Sequence, residues 1–113
     1  MNRDQERLCD ILEAVERIQK YASRGRAVFD NDELVQVWIL QHVQIIGEAT
    51  RNLSEDFRTK HPEMPWREII RMRHVLVHDY FKVDRDILWS VVQNDVPKLK
   101  VQVERLVQQF PAD

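Results

Sequence analysis

The stretch Trp66–Phe81 reads WREIIRMRHVLVHDYF and brings Arg71, Arg73, His74, His78, Asp79 and Tyr80 close together in sequence. Histidine accepts and returns a proton near neutral pH, and arginine offers a planar fork of donors to phosphate oxygens. Together they suffice for metal-independent cleavage of RNA. One group removes the 2′-hydroxyl proton, the oxygen attacks the adjacent phosphorus, and arginine stabilises the charge that builds on the phosphate oxygens. DNA lacks that hydroxyl and cannot react in this way. Arg67, Arg71 and Lys82, in and beside the same stretch, are the candidates for holding phosphates.

On an ideal helix with Ile69 at zero, Met72, Leu76 and Tyr80 fall within roughly 60° of it and form a core-facing side. Arg71, His74 and His78 lie roughly 140° to 200° round, while Arg73 is about 140° from His78. That separation is awkward for a site within one chain, and two copies of the helix facing each other would relieve it. From Arg58 to Arg85 seven basic side chains stand against four acidic ones, a local excess of positive charge in a chain whose formal net charge is −2. Three other readings fit the same residues. His74 and His78, with Asp79, are spaced for zinc but show no clear third ligand. A purely structural role would bond His78 to a carbonyl and pair Arg73 with Asp79 or Glu68. The segment could also bind a nucleotide without cutting anything.

The elements that carry these residues are all helical. Leu8, Ile11, Val15, Ile18 and Ala22 recur at steps of three and four and predict a helix over about 3–23, with Gly25 as its stop. Asp30 is expected to cap a second helix, with Glu33 as its capping-box partner, running to about Leu53. Apolar residues from Leu34 to Ala49 cover so wide an arc that this helix is expected to be buried on more than one side. Gly47 within it suits close approach of a neighbouring backbone, and His42 reads as a hydrogen-bonded structural histidine. Ser54 caps a short piece that ends before His61-Pro62, and Pro65 opens the helix bearing the arginines and histidines. Asp84 caps another short helix through Val92, and Pro97 stands near the start of the last. The expected fold is all-α, an antiparallel four- to five-helix bundle forming one domain over residues 1–113.

Composition agrees. The chain has 113 residues, 43% of them hydrophobic, and only two glycines, which suits a compact helical domain rather than a disordered one. The near-balanced charge excludes a globally basic nucleic-acid coat. Cys9, the lone cysteine, cannot form an internal disulfide and is expected to be an inert buried thiol. No run is long and apolar enough for a membrane span, and MNRDQER is not followed by the apolar core of a signal peptide. A cytoplasmic protein is expected, with no membrane association.

Arg73, four residues, His78, one residue, Tyr80 on a late helix of a small helical domain resembles the signature of the HEPN superfamily, and more narrowly that of the HepT-type toxins. IIGEATRNL at Ile45–Leu53, PWREIIRMRHVLVHDYF at Pro65–Phe81 and the DxxxLW pattern at Asp84–Trp89 followed by NDVPKL resemble that family in the same order. The resemblance implies a HEPN-like bundle that forms a homodimer, with Arg73 and His78 of both protomers lining a shared cleft, and a ribonuclease that needs no metal or cofactor. It also implies control by an MntA-like nucleotidyltransferase antitoxin, through binding and through transfer of AMP from ATP onto Tyr80. An AMP there would set a bulky negative group where RNA would otherwise meet Arg73 and His78. The residue after the family arginine is polar and often asparagine. Here it is His74, which adds a second titratable group, so His78 is the expected general acid or base, with His74 assisting and Asp79 supporting. A non-catalytic substrate- or nucleotide-binding subunit of a nucleotidyltransferase complex is the alternative.

Overall fold

The computed structural model describes residues 2–76 and 84–111, and of residues 73–76 the helix backbone alone. Its described residues form α1 (Arg3–Ala22), α2 (Arg26–Asn31), α3 (Glu33–Arg51), α4 (Glu55–Lys60), α5 (Trp66–Leu76), α6 (Arg85–Ser90), a π-helical turn (Val91–Asp95) and α7 (Val96–Gln108). The all-α bundle expected from the apolar spacing is present. Its columns are α1, α3, α5 and the continuous run from α6 to α7, with α2 and α4 as short corner pieces.

The expected stripe of α1 is buried: Leu8, Ile11, Val15 and Ile18 are fully enclosed, facing Ile39, Val43 and Ile46 of α3 and Val96 and Val103 of the last column. Each such side chain contributes about 1.5–3 kcal/mol through removal from water, so this seam is the main source of stability. Polar links fix the direction of the columns. The Asp4 carboxylate, at the start of α1, accepts from both the backbone N–H and the hydroxyl of Ser54 at 2.7 Å, beyond the end of α3. At the opposite end Trp38 Nε1 donates to Arg17 O at 3.1 Å. Thus α1 and α3 run antiparallel. Phe110, past the end of α7, stacks on Phe57 of α4, which places the finish of the last column beside the start of α1.

Several sequence expectations are corrected. Residues 26–31 form a further short helix, α2, which no expectation covered: Phe29 is fully buried against Trp89 and Arg26 Nε donates to both carboxylate oxygens of Asp30 along the helix. Asp30 is therefore not a cap. Asp32 caps α3 instead, accepting from Leu34 N at 3.0 Å and Val35 N at 3.3 Å. Cys9 is exposed, not buried, since it lies one step off the Leu8–Ile11–Val15 stripe. On α3 the arc is covered by α1 on one side and α5 on another, yet Leu34 is 82% exposed and Val37 54% exposed.

Other local signals act as expected. Gly25 adopts φ +97°, a conformation that L side chains rarely take, and turns the chain from α1 into α2. Ser54 Oγ accepts from Phe57 N, and Asp84 accepts from Ile87 N. Pro97 stands in the first turn of α7, as expected, and the chain enters it from α6 without a break. Proline lacks an N–H and would crowd the carbonyl four residues back, and the π-helical turn just before it, closed by Val96 N–H to Val91 O, lets the column continue.

Candidate functional site

α5 is the site-bearing helix. Its inner side is held by Ile69, which is buried, and by half-buried Met72, as the apolar spacing predicts, and α3 is the helix against which it packs. Gly47 of α3 is buried as well. The start of α5 is pinned by Trp66, whose Nε1 donates to Arg58 O at 3.1 Å and to His61 O at 2.9 Å. Phe57 supports this corner, with its ring centroid 4.6 Å from His61 and 6.1 Å from Trp66. Packing on α3 sets the course of α5, and the Trp66 bonds tie its first turn to the end of α4.

On that outer face Arg67 and Arg71 are exposed, four residues apart. Together with Glu55, Arg58, Thr59, Trp66 and Ile70 they line an open groove of about 600 Å³. Three guanidinium groups thus face a single carboxylate. Among the described residues none of the three arginines forms an ion pair, and Arg58 Nε is buried with no hydrogen-bond partner. Guanidinium groups gathered in this way, with donors to spare, are suited to the oxygens of phosphate groups.

Arg73 and His74 follow directly on α5, so the helix that carries Arg67 and Arg71 also carries two of the three expected catalytic positions. The side chains of Arg73 and His74, and all of His78, Asp79, Tyr80 and Lys82, lie outside the described residues, as do the zinc and structural readings built on them. The opening of α6 is well anchored. Asp84 caps the helix, Arg85 donates to Asp30 O at 2.9 Å, and Arg26 bridges Asp86 and Asp30. These two carboxylates, Asp86 first, raise the Arg26 pKa further above its ordinary value.

His42 has the structural role expected of it. It is buried, its Nδ1 is 2.7 Å from Trp38 O, and its ring lies against the Trp38 ring. Nothing in the sequence singles out Arg58. It sits on a different helix from Arg67 and Arg71, and only the turn through Pro62 and Pro65 brings it beside them, so no spacing rule could have found it.

A family model described as "Ribonuclease HepT-like" matches residues 11–106. A protein of Thermococcus cleftensis named "Probable ribonuclease HepT" is 42% identical over 100 residues, covering 86% of this chain and 89% of that one. A Methanocaldococcus jannaschii protein, named provisionally as an RNase, is 38% identical over 98 residues, covering 86% of this chain and 90% of the relative. No solved structure gives a significant match. Among the described residues no helix is long and apolar enough to cross a membrane.

Proposed function

Because the chain belongs to the HepT-like ribonuclease family of the HEPN superfamily, we propose that it is a metal-independent endoribonuclease, the toxin of a toxin–antitoxin pair, working as a homodimer. What carries this reading is the match of residues 11–106 to the ribonuclease family. The unpaired arginines on the outer face of α5, next to positions 73 and 74, support it.

In this reading His78 is the principal general acid or base, with His74 assisting. A histidine takes the 2′-hydroxyl proton, the 2′-oxygen bonds to phosphorus, and the bond from phosphorus to the 5′-oxygen breaks as that oxygen is protonated. Arg73 holds the phosphate oxygens as charge grows on them. Arg67, Arg71 and Lys82 bind neighbouring phosphates, and Asp79 supports the histidines. The products are a 2′,3′-cyclic phosphate and a 5′-hydroxyl. Arg73 and His78 stand about 140° apart on an ideal helix, so each site draws on both protomers. The exposed Leu34 and Val37 offer apolar surface for such an association. An MntA-like nucleotidyltransferase then silences the toxin by binding and by placing AMP on Tyr80, where a phosphate would repel incoming RNA.

The test is incubation of the purified protein with RNA in excess chelator. Cleavage that leaves 2′,3′-cyclic phosphate ends is expected. Cleavage abolished by the chelator would point to a metal site at His74 and His78, and binding without cleavage would make the protein a non-catalytic subunit of a nucleotidyltransferase complex.

A further inference from the structure

The groove between α4 and α5 is more than a scatter of surface charge. Arg58 comes from one helix, and Arg67 and Arg71 from the next. The Trp66 Nε1 bonds to Arg58 O and His61 O tie the start of α5 to the end of α4, so the backbone positions that carry the three arginines are set before any ligand arrives. Three arginines share the groove with one acidic residue, Glu55, and none of the three is ion-paired among the described residues, so the groove carries an excess of positive charge. An anion brought against these arginines offsets that excess. The groove is open rather than enclosed and lies along the side of a helix, which suits a chain passing through it better than a small ligand held inside.

Positions 67, 71 and 74 recur at i, i+4 and i+7 of α5, one stripe about 10 Å long that leads from the groove toward the proposed reacting centre. We infer that the α4–α5 groove, with Arg58, Arg67 and Arg71, is a second phosphate-backbone site that grips the RNA strand outside the cleaved linkage. The inference rests on the ribonuclease reading for the identity of its strand. Trp66 and Ile70 form the apolar wall between these cations.

The experiment uses the full-length protein and a fluorescent 2′-O-methyl RNA oligonucleotide, which binds but cannot be cut because its nucleophile is blocked. Affinity is measured by anisotropy over a series of salt concentrations for wild type, Arg58→Gln and the double variant Arg67→Gln/Arg71→Gln. Each phosphate contact on a single strand contributes a salt slope of about 0.7, so the double variant is expected to bind roughly twenty-fold more weakly at about 0.1 M salt, with a slope flatter by about 1.4. Arg58→Gln is expected to show about half that change in slope. Arg67 and Arg71 are exposed, so the double variant keeps the test valid even if Arg58→Gln folds poorly. Unchanged affinity and slope in the double variant overturn the inference. So does competition by AMP alone at the oligonucleotide's own concentration, which marks a mononucleotide pocket, or equal arginine-dependent binding of a polyglutamate peptide, which marks an acidic protein partner. Cleavage of unmodified RNA by wild type is scored separately. A protein that cuts RNA but ignores these arginines refutes the groove alone, and one that binds through them but never cuts refutes the ribonuclease reading alone.

Discussion

Replacing Trp66 by Phe isolates the hydrogen bonds that set the α4–α5 corner. The indole Nε1–H is shared between Arg58 O and His61 O, at 3.1 and 2.9 Å, while the ring packs beside Phe57 and belongs to the fringe of the core. Phenylalanine keeps most of the apolar contact and removes the donor. A net contribution of about 0.5–1.5 kcal/mol per hydrogen bond, with one proton serving two acceptors, gives a loss of roughly 1–2 kcal/mol. With a urea m-value of about 2 kcal/mol/M, the unfolding midpoint should fall by roughly 0.5–1 M with m unchanged. Circular dichroism in a urea titration reads this directly. RNA affinity is expected to fall as well, because Arg58 is no longer held in register with Arg67 and Arg71. A midpoint that does not move would refute the claim that this indole fixes the corner, and weakened stability with unchanged RNA binding would sever the corner from the groove.

Other perturbations reach the rest of the account. Ile39 is fully buried between α1 and α3, so Ile39→Ala should cost about 2–5 kcal/mol in denaturant titration, whereas a loss below ~1 kcal/mol would mean the seam is not the main core. If each site takes Arg73 from one protomer and His78 from the other, mixing inactive Arg73→Ala and His78→Ala proteins should restore up to roughly a quarter of wild-type cleavage through heterodimers. No recovery after verified subunit exchange would place both residues in one chain's site. Incubation with the nucleotidyltransferase partner and ATP should add AMP to wild type but not to Tyr80→Phe, as read by mass spectrometry. A label that persists in the variant would move the modification elsewhere.

The fold was legible where a long periodic stripe met a local stop. Leu8 to Ala22 followed by Gly25, Ser54 before Phe57, and Asp84 before Ile87 each combine side-chain spacing with a specific backbone need. Legibility failed where tertiary contacts decide. α2 has six residues, too few for a period to show, and it exists because Phe29 enters the core and Arg26 reaches Asp86 on a distant helix. With α2 present the cap moves from Asp30 to Asp32. Cys9 shares its neighbourhood with Leu8 yet points outward, because adjacent residues on a helix face 100° apart. For the site, α5 and its two exposed arginines could be read from the sequence, whereas Arg58 joins them only through the fold.

The proposed proton transfer by His78 during RNA cleavage needs no metal. It is tested most directly by comparing wild type with His78→Ala on RNA in excess chelator, after matching circular dichroism and sedimentation have shown the same fold and dimer. Wild type is expected to yield 2′,3′-cyclic phosphate ends and the variant none. Full cleavage by His78→Ala would contradict the account.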